Sequence, residues 1–165
     1  MIIDFEYALD EQKSFLEHLE VKKGMKCPKH SFNVPTWLIL ALLTELMEVA
    51  NEKKCFKWWD KTPVNEKKVL TELSDLLSHI ANLANILEVG LTSDIEQVQT
   101  TAVETTFIRL AYQFTTLTYK KTFARRTLKN RIVPLFVELV YSLGFSLEEL
   151  KNEYSNKMNE NYMRF

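Results

Sequence analysis

Four acidic side chains at helical spacing are the first feature of this 165-residue chain that could do chemistry. Glu45 and Glu48 stand three apart, with Glu52 one turn further on. At 100° per residue all three fall within about 60° of arc, a single stripe on a helix. Ile39, Leu40, Leu42, Leu43, Leu46, Met47, Val49 and Ala50 fill most of the remaining circumference, so a segment otherwise dressed for burial carries a row of like charges. Such pairs cost a few tenths of a kcal/mol each at a surface and far more once desolvated. A second stripe repeats the pattern: Glu72, Asp75, His79 and Asn82 follow i, i+3, i+7, i+10, beside Val69, Leu70, Leu73, Leu76, Leu77, Ile80 and Ala84. If the two helices pack antiparallel across a short connection, Glu45, Glu48, Glu72 and Asp75 converge. A cluster of that kind persists near neutral pH when a hard divalent cation neutralises it, and all-oxygen ligands suit Mg²⁺ or Mn²⁺. Acidic residues at i, i+3 on one helix are usually a solvated face. The second stripe is what favours a metal site.

A third set lies near the C-terminus, where Tyr154, Lys157, Asn161 and Arg164 again follow i, i+3, i+7, i+10. A basic face with an amide between its cations is suited to phosphate oxygens and a sugar hydroxyl. Alone it reads as a solvated helix face; beside an acidic metal cluster it supplies the complementary half of a phosphate site. The basic run Lys120, Lys121, Arg125, Arg126, Lys129 and Arg131 reads as a solvated helix end and loop. Trp37, Trp58 and Trp59 read as core or loop-packing residues, His18 and His30 as incidental surface residues, and Cys55 as a small buried group.

The elements that must position these residues are helices. With only 3 Gly and 4 Pro against 46% hydrophobic residues, the composition disfavours a many-stranded sandwich or barrel. Apolar spacing predicts helix one from Phe5 to Val21, then a loop from Lys22 to Val34. Pro35-Thr36 opens helix two, which runs to Lys54, and an aromatic loop spans Phe56 to Pro63. Helix three extends from Asn65 to Val89, with Gly90 as its stop. Ser93 caps a fourth helix over Asp94 to Lys121, its threonines notwithstanding. A fifth covers Leu128 to Leu143, interrupted near Pro134 and closed by Gly144. Ser146-Leu147-Glu148-Glu149 has the form of a capping box for the last helix. The expectation is a single all-α domain, a bundle of about six helices over residues 1–165.

Charge and cysteine content narrow the function. The 21 Lys+Arg nearly balance 22 Asp+Glu, so nucleic acid is an unfavoured partner for the chain as a whole. Cys27 and Cys55 form no CxxC and signal neither a zinc site nor a disulfide framework. The acidic, amphipathic start is unlike a secretory signal, and no apolar run approaches 18 residues. A cytoplasmic protein with no membrane partner is expected.

Three groups of residues together resemble a family. Glu45-Leu46-Met47-Glu48, Phe56-Lys57-Trp58-Trp59 and Glu72-Leu73-Ser74-Asp75 resemble the ExxE, FKxW and ExxD motifs of the dimeric, all-α dUTPases, which belong to the wider MazG-like nucleoside triphosphate pyrophosphatases. The spacing of Tyr154, Lys157, Asn161 and Arg164 is similar to that family's C-terminal motif, and Gln12 resembles its N-terminal glutamine. The resemblance implies a homodimer that hydrolyses dUTP to dUMP and pyrophosphate. It implies that Glu45, Glu48, Glu72 and Asp75 bind Mg²⁺ (or Mn²⁺), with Glu48 and its neighbour Glu45 as the catalytic pair and Glu48 acting on water. Gln12 would face uracil, Asn82 the deoxyribose, and Trp59 would close over the base. Lys57, Lys157 and Arg164 would meet phosphates, and Asn161 the sugar or a phosphate. Ser78 stands where the family often has His, and Ala81-Asn82-Leu83-Ala84 looks like the matching helix of MazG proteins. Two other readings remain: a MazG-like pyrophosphatase for another nucleotide, which a substrate panel separates, and a non-enzymatic helical dimer binding a protein partner, which predicts no hydrolysis.

Overall fold

The computed structural model describes residues 1–28, 33–99, 101–117 and 121–165, with Lys121 described by its backbone alone. His30 and Lys120 lie outside the described residues. Helix α1 (Glu6–Lys23) ends on Gly24, whose left-handed φ of 63° lets its N–H reach back to the Glu20 carbonyl. Helix α2 (Thr36–Lys53) follows Pro35, and α3 (Glu66–Leu87) is capped by Asn65, whose side chain accepts from the Lys68 N–H. Helix α4 spans Val103–Thr116. Helix α5 (Lys121–Thr127), a π-helical turn (Leu128–Ile132) and α6 (Val133–Ser142) form one continuous rod. Helix α7 (Leu147–Arg164) opens with the reciprocal capping box between Ser146 and Glu149 that the sequence predicts. These are the six expected helical segments of an all-α bundle, among the described residues.

Helix α3 is the axis of the molecule because its apolar residues cover a wide arc: Val69, Leu73, Leu76, Leu77, Ile80, Leu83 and Leu87 are all buried. It packs against α2, α7 and α1. The polar stripe from Glu72 to Asn82 is therefore aimed into a seam between helices rather than into open water. That placement turns an ordinary acidic helix face into a site.

Three expectations about the elements are corrected. The predicted fourth helix from Asp94 does not begin there; Thr92–Asp94 is strand β2, paired antiparallel with β1 (Ile2–Asp4), Ile3 opposite Ser93. β-Branched Thr92 suits a strand, and burial of Ile3 fixes the pairing. Helix α3 is stopped by Glu88, itself in the left-handed region at φ 56°, rather than by Gly90. Gly90 serves a close approach: a Cβ there would lie 2.8 Å from Glu6 Oε1, the atom that accepts from the Leu91 N–H at 2.6 Å. Finally, Pro134 does not interrupt the fifth helix, which begins earlier, at Lys121. The π turn lets the Val133 N–H reach the Leu128 carbonyl five residues back, so the rod passes the proline's missing donor without a break.

Within the basic run, Arg125 is a structural residue. Its Nε–H donates to the Leu87 carbonyl at 2.7 Å and its guanidinium faces Glu88 at 3.7 Å, closing the C-terminal end of α3. Trp58 and Trp59 are 81% and 60% exposed, so they are not packing residues. His18 is half-buried, its ring 5.1 Å from that of Tyr162 and stacked on Phe15.

Candidate active site

Helices α2 and α3 are joined by a short loop and run side by side, which brings the two acidic stripes face to face. Oxygen atoms of Glu45, Glu72 and Asp75 all lie within 4.8 Å of one another, a spacing three ligands to one cation require. Glu48 is the most exposed of the four carboxyls and lies beside both Glu45 and Glu72. Glu52 is drawn out of the stripe by Lys68, whose Nζ is 2.7 Å from its Oε1.

The electrostatics follow from the crowding. Glu72 is pushed up to about 7, first by burial and then by Asp75, Glu48 and Glu45. Asp75 is raised by burial, though Lys157, whose Nζ donates to Oδ2 at 3.0 Å, pulls it back. Glu48 is raised by desolvation first and by Glu45 second. Burial disfavours the charge of Lys157, but its bond to Asp75 outweighs that and holds its pKa above the usual lysine range. His79 places Nε2 3.7 Å from Glu45 Oε1, at the edge of the cluster, while its Nδ1 is buried without a hydrogen-bond partner. Hard oxygen donors crowded into one seam, with Glu48, Glu72 and Asp75 raised first by burial and then by neighbouring carboxyls, are the donor set that a small divalent cation fits.

One further turn along α3 the surface changes from acidic to amide. Asn82 is 7% exposed and its Oδ1 has no hydrogen-bond partner. At 1.5 Å per residue it stands roughly 10 Å along the helix from Asp75. Gln12, from α1, is 6% exposed and meets the buried Tyr154 hydroxyl of α7. The site is thus a seam with anion-bearing groups at one end and neutral polar groups at the other.

The whole seam falls within a match to the dUTPase family that covers residues 4–165. The chain belongs to the dUTPase family. It is accordingly a nucleoside triphosphate diphosphatase, specifically a dUTP diphosphatase, and its substrate is a nucleotide. No curated protein and no solved structure matches the chain. Among the described residues of this dUTPase, no helix is long and apolar enough to cross a membrane.

The remaining predicted site residues of the dUTPase are dispersed. Lys157 joins the cluster through Asp75, as described. Lys57 lies with its Nζ 5.7 Å from the centre of the Phe56 ring, and Trp59 packs edge-on to Trp58, with ring centres 5.8 Å apart. Asn161 is half-buried with Nδ2 3.9 Å from Met158 Sδ, and Arg164 is exposed, its guanidinium 5.3 Å from the Phe165 ring centre. These four therefore find their recorded contacts in their own segments rather than at the carboxylates. Sequence reasoning noted Ser78 only as standing in place of a His; it is buried near the Tyr154 hydroxyl and donates to the Ser74 carbonyl at 3.2 Å. Its signal was present in the spacing: Asp75, Ser78 and Asn82 are i, i+3, i+7 on one helix.

Proposed function

We propose that this dUTPase hydrolyses dUTP to dUMP and pyrophosphate at a site where Glu45, Glu48, Glu72 and Asp75 hold Mg²⁺, with Mn²⁺ able to substitute. The observation that carries the reading is the convergence of Glu45, Glu72 and Asp75 oxygens within 4.8 Å, with Glu48 against them. When bound, the cation supplies charge neutralisation for the phosphate oxygens. Glu48 is the group that orients the attacking water and takes its proton: it is the most accessible of the four, and a carboxyl raised above its usual range is a better base near neutral pH. Glu45, one turn before Glu48 on α2, is its partner in the catalytic pair. Lys157 exchanges its ion pair with Asp75 for a phosphate oxygen when substrate and cation arrive together.

Base and sugar are read at the neutral end. Gln12 faces uracil, and the unbonded Oδ1 of Asn82 accepts from a deoxyribose hydroxyl, a donor that would satisfy it. Trp59 closes over the base, Lys57 and Arg164 reach phosphates, and Asn161 meets the sugar or a phosphate. In this reading the loop after α2 and the end of α7 move onto the nucleotide. The working unit in this reading is a homodimer, supported by α2, which exposes Leu40 and Met47 and leaves Leu43 half-covered beside the site.

The test is pyrophosphate release from dUTP, dTTP, dCTP and UTP, with Mg²⁺ and with EDTA. Preference for dUTP that EDTA abolishes is the expected result. Cation-dependent release with another preference would keep the carboxylate site and discard the base assignment. Release indifferent to EDTA would remove the metal, and no release at all would leave a nucleotide-independent helical dimer.

A further inference from the structure

A cavity of about 580 Å³ lies between α4, the loop before it, and the wall formed by the π turn and α6. Among the described residues its lining takes nothing from α1, α2, α3 or α7, the helices that build the carboxylate seam. Its volume is that of a small-molecule site. Glu138 lines it while only 5% exposed, a costly position for a carboxylate unless it is paired. Thr101 and Thr106 donate their hydroxyls to its Oε1 at 2.6 and 3.1 Å, and Arg109 places Nη1 3.5 Å from Oε2. Glu138 is thereby an anchor that holds the half-exposed Arg109 guanidinium on the cavity. Arg131 lines the same space, is exposed, and has no ion pair or hydrogen bond among the described residues. It comes from the π turn, a rare geometry that recurs at functional sites. Two guanidiniums against one carboxylate leave the cavity positively charged, and their forked donors match phosphate oxygens.

The rest of the lining is neutral and divides in two. The side-chain amides of Gln97, Gln99, Gln113 and Asn130 face this space with no hydrogen-bond partner among the described residues, each offering a donor and an acceptor. Tyr112 and Ile108, 65% and 70% exposed on α4, supply an aromatic and an aliphatic surface. We propose that this cavity is a second, non-catalytic ligand site for a nucleoside monophosphate, with its phosphate between Arg109 and Arg131, its base against Tyr112 and its polar edges on the amides. A phosphomonoester carries about −1.5 to −2 charges at neutral pH, which two guanidiniums offset. A triphosphate carries more and calls for a divalent cation, and this lining has a single carboxylate, already engaged by Arg109 and two hydroxyls. A bare anion would leave the amides and Tyr112 unused.

The experiment is calorimetric titration in EDTA of AMP, GMP, CMP, UMP and inorganic phosphate into the wild type, Arg131→Glu, Tyr112→Ala and Gln12→Ala. Saturable binding of at least one nucleotide, one per chain and more than about tenfold tighter than inorganic phosphate, is the expected result. Arg131→Glu weakens it by more than about tenfold, the size of a lost charge-assisted hydrogen bond. Tyr112→Ala weakens it by about tenfold, the size of a lost stacking contact, and Gln12→Ala leaves it unchanged. Arg131 and Tyr112 are exposed and away from the seam, so circular dichroism and dUTP turnover at wild-type levels show that both variants are folded. Arg109→Ala is avoided because it strips a buried carboxylate of its counter-charge. Binding that survives both cavity variants and is lost in Gln12→Ala belongs to the seam and overturns the proposal. Inorganic phosphate binding as tightly as any nucleotide overturns it too, as does the absence of binding by every nucleotide.

Discussion

Glu72 and Glu48 sit in the same cluster and experience it differently. Glu72 is the more buried, and surrounded by three other carboxyls it holds a proton up to about pH 7. A folded-state pKa raised above the unfolded value means the folded state binds the proton more tightly. The contribution of Glu72 to stability is therefore fully present below the usual Glu range, is lost as pH rises toward about 7, and changes no further above that. A divalent cation replaces that proton and reverses the trend. We predict that Mg²⁺ raises the melting temperature by several degrees more at about pH 7.5 than at about pH 5, as linkage requires of a ligand competing with protons. Melting followed by circular dichroism with Mg²⁺ or EDTA measures it, and an equal gain at both pH values would detach Glu72 from the cation. Glu48, the more accessible, is assigned to the water. Glu48→Gln should lower turnover by more than about 100-fold, the usual size of a general-base contribution, while the helical signal and melting temperature stay near wild type. Single-turnover hydrolysis of dUTP decides it; near-normal rates would free Glu48 of the role.

At the scale of elements, what was legible in the sequence and what was not divides by distance along the chain. The apolar periodicity of α2 and α3, the capping box at Ser146 and the acidic stripes are local patterns, and the structure keeps them. Strand β2 was hidden because its reason is Ile3, some 90 residues earlier, and nothing near Thr92 announces it. The π turn was hidden because a proline inside an apolar run looks like a break unless the helix can absorb a residue ahead of it. At the site, the four carboxyls are local signals. The Lys157–Asp75 pair and the Tyr154–Gln12 contact cross between helices far apart in sequence and are visible only once α7 is docked. Gly90 shows the same division: read locally it is a helix stop, but its role is to let Glu6 reach the Leu91 N–H and the Thr92 hydroxyl. Gly90→Ala should displace that carboxylate and cost about 1–2 kcal/mol, a few degrees in melting temperature, with kcat on dUTP unchanged. A melting temperature equal to wild type would show that Glu6 moves aside freely.

For the whole molecule, the outer face of α2 and the loop after it are the most apolar parts of the surface near the site. Leu40 and Met47 are exposed on α2, and Phe56, Trp58 and Trp59 follow in the loop. A monomer gains nothing from presenting Leu40 and Met47 to water, whereas a second copy would cover them. Light scattering should give twice the 19.4 kDa of the chain, and Leu40→Lys should shift the mass toward one copy at micromolar concentration. A wild-type mass of a single chain would place the whole activity within one copy.

The exposed pair in that loop also decides what light reports about this protein. Two of the three tryptophans, Trp58 and Trp59, are already in water when the chain is folded. Their emission has little further to shift on unfolding, so intrinsic fluorescence is a poor gauge of stability here. For the same reason it is a sensitive gauge of anything that settles on the loop. An indole that moves out of water against a base should shift its emission to shorter wavelength, and the protein thus carries its own optical reporter of nucleotide closure, spectrally separate from the folding of its core.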